Sequence, residues 1–333
     1  MHSSQTFPQL FQTALIHSEG GNGSAPRAPA DALFLSPALS LGMAARIILA
    51  FHFDRLTRQE AGTRRGDDPE ALHDMRVASR RLQAALRDFR STFPAKTLAP
   101  LEDDIQWLTQ MLGRLRDVDV FIEWLETYAH GKRGTTKTII HHIIDERMQT
   151  RQREQQALIE ALHSQRYAKF KRAFVEFVNT QAPHQAKEDE SLIALAADKI
   201  EKELRRVKRR GTRANLAHLK RLHRLRIEAK RLRYTGEFFQ SLFPAFPAKL
   251  IQRASALQDA LGVVHDNDVH RDFLKQRRCR EAPDSAAYAA VSEMMRALRR
   301  EQRNQYADAR KIYRRLTSKK FQRRVARALA SEK

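Results

Sequence analysis

Cysteine is almost absent from this chain. Cys279 stands alone, which excludes an intramolecular disulfide and a multi-cysteine zinc site and reads as a reduced, cytosolic thiol. Glycine is scarce as well, at 12 of 333 residues, in a sequence rich in Leu, Ala, Arg, Glu and Gln, and this favours helix throughout. The apolar stretch 41–53 is interrupted by Arg46 and His52 and is too short to cross a bilayer. The N-terminus lacks the basic start and long apolar block of a signal peptide, so none is expected. Negative charge is in deficit. The 39 Asp and Glu face 61 Lys and Arg, and the formal charge of +22 is far more than solubility requires. A polyanion or anionic surface is therefore the expected partner: nucleic acid, acidic lipid or an inorganic phosphate polymer. With 42% hydrophobic residues, the chain can still bury a sizeable core.

What is present is a repeat. Residues 72–94, LHDMRVASRRLQAALRDFRSTFP, return 150 positions later as 222–244, LHRLRIEAKRLRYTGEFFQSLFP. His73 matches His223, Arg76 matches Arg226, Arg80 matches Lys230, and Phe89 and Phe93 match Phe239 and Phe243. At about 100° per residue the first copy places Met75, Leu82, Leu86, Phe89 and Phe93 on one apolar stripe. The second copy places Leu225, Leu232, Phe239 and Phe243 on the same stripe. Beside it, His73, Arg76, Arg80 and Arg87 fall within roughly 60° of one another. His223, Arg226, Lys230 and, at the edge of the row, Arg233 take the equivalent flank. Like charges at this spacing weaken a helix by a few tenths of a kcal/mol per pair. A solvated basic face does not explain why histidine and cation spacing both recur; an anionic ligand that relieves the repulsion does.

A second block, 112–125 (LGRLRDVDVFIEWL), matches 261–274 (LGVVHDNDVHRDFL) and pairs Asp117 with Asp266 and Asp119 with Asp268. A third match links 162–170 with 316–324. The expected organisation is an all-α chain of two tandem four-helix bundles, 32–180 and 186–330, related by duplication about a pseudo-twofold axis. A flexible tail at 1–31 precedes them, and a polar link carrying Pro183 joins them. Ser36–Pro37 is read as the start of the first helix, running to about Glu60; Asp68–Pro69 starts the second, Pro100 the third, and 139–178 forms a long helix breaking near 163–166. Pseudo-twofold packing would turn the two basic rows toward each other. On the first helix of the second copy, Lys202, Arg206 and Arg209 are assigned to the same basic surface, while the KRRG at 208–211 reads as solvated charge.

These motifs resemble the CHAD family, helical domains named for their histidines that bind inorganic polyphosphate. The resemblance rests on His73-x-x-Arg76-Val77-x-x-Arg80-Arg81-Leu82, on His223-x-x-Arg226-x-x-x-Lys230-Arg231-Leu232-Arg233-Tyr234, and on Arg116-Asp117-x-Asp119-Val120. It implies two helical bundles around a basic groove or pore, polyphosphate as the partner, no catalytic residue, metal or cofactor, and a cytoplasmic place at polyphosphate granules. It also implies that His73, Arg76, Arg80, Arg116, His223, Arg226, Lys230 and Arg233 carry the binding. His265 stands where the first copy has Arg116.

Guanidinium groups suit such a polymer because they grip adjacent phosphoryl oxygens bidentately, with lysine as a point charge. Affinity is expected to fall with salt and as pH rises past the histidines. Arg81 and Arg231 point about 100° away from the rows and are expected to brace the bundles against Asp117/Asp119 and Asp266/Asp268. Other readings have less behind them. A metal phosphohydrolase built on His73–Asp74, His265–Asp266 and His141–His142 conflicts with the repeat, because Asp74 becomes Arg224. A nucleic-acid binder lacks a recognition motif and an aromatic platform, since Trp107 and Trp124 sit in apolar stripes and read as core.

Overall fold

The computed structural model describes residues 33–66, 69–180, 191–245 and 248–330, and no strand occurs among them. The expected tail at 1–31, the link around Pro183 and the Asp68 helix start lie outside the described residues. The first half contains α1 (Leu41–Arg58), α2 (Glu60–Arg65), α3 (Pro69–Asp88), α4 (Ala95–Ala129), α5 (Gly134–His163) and α6 (Gln165–Asn179). The second contains α7 (Leu192–Gly211), α8 (Leu219–Phe239), α9 (Ala248–Arg278), α10 (Ala286–Leu316) and α11 (Lys319–Ala330). One turn of 3-10 helix follows α3 and another follows α8, at Arg90–Thr92 and Gln240–Leu242. Apart from α2, the order of elements is the same in both halves.

Local chemistry moves several helix ends from their expected places. Ser36 makes a turn instead of a cap, with its carbonyl accepting from Leu39 N, and Ser40 caps α1 by accepting from Met43 N at 3.3 Å. The chain pauses at Gln59, resumes as α2, and stops at Gly66, whose φ of 74° belongs to the left-handed region. Pro100 lies inside α4, which begins at Ala95. Pro100 leaves the carbonyl of exposed Lys96 unbonded close to the helix start, where water can take the bond. The break expected near 163–166 falls at Ser164, which turns extended and whose hydroxyl accepts from Tyr167 N at 3.2 Å.

The apolar stripes behave as their period requires. Met75, Leu82, Leu86, Phe89 and Phe93 are buried, as are Leu225, Leu232, Phe239 and Phe243, each contributing about 1.5–3 kcal/mol. The two halves share one core. It runs through α1, α3, α4 and α6 into α7, α8 and α9, with Phe89 edge-on to Phe239 at 5.9 Å between ring centres. A second, smaller core joins the far ends of the long hairpins, where Phe121, Leu125 and Ile143 meet Leu274, Met294 and Leu298. Trp107 and Trp124 are only half-buried. Arg166 lies over the Trp107 ring at 4.5 Å, and Trp124 donates its indole N–H to Glu301 at 3.1 Å.

The bracing arginines take other partners than expected. Arg151 holds Asp119 at 2.8 Å, and Arg271 lies 3.8 Å from Asp268. Arg81 reaches across the halves to Glu237 at 3.1 Å, and Arg231 pairs with Glu228 one turn back at 3.3 Å. Glu237 also accepts from Arg233 at 2.7 Å, so one carboxylate ties α3 to α8 through two guanidinium groups. Arg81→Ala is expected to cost about 2 kcal/mol, less than a fully buried pair because both side chains still touch water. Urea unfolding checks this. An unchanged midpoint with weakened anion binding would instead place Arg81 among the ligand contacts.

Candidate functional site

Among the described residues the halves pack most extensively where α3 meets α8 and where α5 meets α10. Between the shared core and the distal core runs a polar cleft, walled by α3 and α8 and by the middles of α4 and α9. Arg76 and Arg80 from one half and Arg226 from the other line one cavity of about 210 Å³. Asp117, His265, Asp266 and His270 share its wall with Thr109, Gly113 and the apolar Val120 and Val269. Arg76 also borders a neighbouring cavity of about 210 Å³ that contains His73, Arg116, Asp119 and Arg151. The apolar stripes position these groups: each is buried in the common core and turns its flanking row inward.

The electrostatics are those of crowded like charge. Burial first, then neighbouring Arg80, pull Arg76 down to about 10, so it stays cationic at neutral pH. Burial is also the main cause lowering Arg226, which Asp266 partly offsets. Lys230 is the extreme case. Burial and then Arg80, Arg87, Arg226 and Arg231 bring it to about 7, and among the described residues it has no hydrogen bond or ion pair. His223 is lowered by burial and then by His265, whose ring lies 4.9 Å away. His270 is buried, stacked on Phe121 at 4.3 Å, and lowered to about 4, so it is neutral structure.

Two carboxylates face these cations. Asp117 is accessible to water along the cleft, yet the walls close enough to raise its carboxyl; nearby Asp266 adds to that rise, while Arg76 and Arg80 oppose it. Both aspartates face the cleft instead of Arg81 and Arg231, the partners expected from the sequence. The signal was legible: Asp117 and Asp266 recur with nearly the same offset as Arg76 and Arg226.

The remaining predicted residues are dispersed. Arg116 borders the second cavity but is tied to Glu123 at 2.8 Å. Arg87 is fork-bonded to Asp88 at 3.0 and 2.7 Å and lies close enough to depress Lys230. Lys202 is exposed, and Arg206 pairs with Glu203. Arg233 belongs to the Glu237 brace rather than to the cleft. Arg209 is not on the cleft either: α7 ends there, and its side chain borders a separate concavity. Among the described residues no group of three or more His, Cys, Asp or Glu converges as a metal site, and no helix is long and apolar enough to cross a membrane.

The chain is 27% identical to the CHAD domain from the plant Ricinus communis, whose crystal structure superposes with a TM-score of 0.69 over 89% of this chain and 98% of that one. PptA from Streptomyces chartreusis has the same fold at 15% identity, with a TM-score of 0.67 over 83% of this chain and 100% of that one. Two uncharacterized proteins of Mycobacterium tuberculosis, Rv2226 of strain H37Rv and MT2285 of strain CDC 1551, are each 28% identical over 221 residues, 64% of this chain. The chain spans about 41% of the length of those relatives. The CHAD domain family model matches residues 47–275, which hold both histidine-arginine rows and both aspartate blocks. Helical order, inward-facing cations and this match agree: the chain belongs to the CHAD domain family.

Proposed function

We propose that this protein binds inorganic polyphosphate in the cleft between α3 and α8, without turning it over, and resides with the polymer in cytoplasmic granules. The observation that carries this reading is Lys230, an amine without a partner among the described residues, set among Arg80, Arg87, Arg226 and Arg231, whose repulsion a bound anion would relieve. Two features favour an inorganic polymer over nucleic acid. The cations come in helical rows about 5–6 Å apart, and no Phe, Tyr or Trp lines either cavity to stack a base. Competition at physiological salt among long polyphosphate, DNA and RNA tests it. Polyphosphate is expected to displace both nucleic acids; displacement of polyphosphate by RNA or DNA at equal phosphate concentration would overturn it.

The pH dependence follows from Lys230. At about 7 in the empty cleft, a large share of the side chain is neutral at neutral pH. A polyanion favours the ammonium, so binding takes up a proton between about 7 and the ordinary lysine range near 10.5. Affinity is therefore expected to fall as pH rises above about 7, a window more alkaline than the histidines alone imply. Without ligand the sign is opposite for folding. A lysine depressed in the folded state makes stability rise with pH over the same window. Calorimetry in buffers of different ionisation enthalpy should report proton uptake at pH 8 that disappears in Lys230→Met.

A further inference from the structure

A second concentration of arginine lines a concavity outside the cleft. Arg209, Arg210, Thr212 and Arg213 at the end of α7, with Arg221 and Arg224 on the first turns of α8, enclose a concavity of about 360 Å³. No carboxylate lines it; Arg210 alone leans toward one, Glu228 at 3.7 Å. On α8, Arg221 and Arg224 stand roughly 120–180° around the helix from Arg226 and Lys230, so this concavity opens on the opposite side from the cleft.

The pocket is built on a supported backbone. Tyr313 of α10 donates its hydroxyl to Lys208 O at 2.8 Å, and Tyr306 donates to Ala214 O at 3.3 Å, so α10 holds the loop on both flanks. Gly211 permits this approach, since a Cβ there would lie 2.0 Å from the Tyr313 ring. Arg221 and Arg224 are themselves anchored, to Arg213 O and Lys220 O, each at 3.4 Å. Five guanidinium groups held around one hollow, with Glu228 beside Arg210 as the one carboxylate at its edge, make a receptor for clustered phosphoryl groups.

We propose that this concavity is a second phosphate-polymer site, so that one chain grips two segments of polyanion and cross-links them. The identity of the polymer rests on the function proposed above; the existence of the second site does not. Two sites on opposite sides of α8 give avidity on long polymer and join separate polymers into particles. A condensed polymer is then a product of binding rather than only its location.

The test uses tripolyphosphate, too short to span both sites, in isothermal titration, and long polyphosphate in light scattering. The wild type is expected to take two equivalents of tripolyphosphate. Arg213→Gln/Arg221→Gln/Arg224→Gln should take one and lose particle formation, while its affinity for a single long polymer falls by only about tenfold. Arg76→Gln/Arg80→Gln/Arg226→Gln should also retain one equivalent, now at the outer site. All five outer arginines are exposed, so matching thermal unfolding of wild type and outer variant serves as the folding control. Unchanged stoichiometry and unchanged particles in the outer variant would overturn the second site and leave the cleft untouched. Unchanged binding in the cleft variant, with loss in the outer one, would instead overturn the cleft.

Discussion

Replacing Arg76, Arg80 and Arg226 together by glutamine is expected to lower polyphosphate affinity by roughly 1,000-fold. Each guanidinium lines the cavity between α3 and α8. A hydrogen bond to a charged group contributes about 1.5–3 kcal/mol, and neighbours in one network do not add. A combined loss of about 4 kcal/mol is the conservative sum, and each 1.4 kcal/mol is tenfold. The same substitution removes Arg80, which depresses Arg76 and Arg226, and removes two of the cations that depress Lys230 in the empty protein. The unfolding midpoint of the free variant is therefore expected to hold or rise, which separates a lost ligand contact from a lost fold. A midpoint that falls along with affinity would mean that the three arginines hold the halves together.

Salt is the second large effect. Arg76, Arg80, Arg116, Arg226 and Lys230 border the two cavities or sit against them, giving about five phosphate contacts. For a flexible polyanion the logarithm of affinity falls with the logarithm of salt at a slope near −0.7 per contact, hence about −3.5. Raising salt from about 50 to 200 mM should weaken binding roughly 100-fold. The triple variant should lose about two units of that slope, because the counterions its three sites released are no longer displaced. A slope near zero would mean that the polymer is held by neutral hydrogen bonds, and the arginines would then need another purpose.

Much of this was legible because a helix converts spacing into direction. Met75, Leu82, Leu86 and Phe89 define a buried face, and that face alone fixes where Arg76 and Arg80 point. Pairings between helices were not legible, since they depend on crossing geometry. Arg81 was known to leave the row, but its partner Glu237 lies 156 residues away and comes within reach only when α3 packs on α8. Asp119 goes to Arg151 of α5 for the same reason. Helical phase groups Arg209 with Lys202 and Arg206, but α7 ends two residues after it, and the chain turns away from the cleft there. Pro100 reads as a helix start in sequence, and the helix instead begins five residues earlier, where Pro94 O accepts from Thr97 and Leu98.

A crystal structure of the protein with a polyphosphate of defined length tests the central claim most directly. The expected result is a chain of phosphorus density between α3 and α8, with phosphoryl oxygens within hydrogen-bond reach of Arg76, Arg80 and Arg226 and with the Lys230 ammonium turned toward it. Polymer bound only on outer surfaces, with the cleft between the two rows left to water, would contradict it.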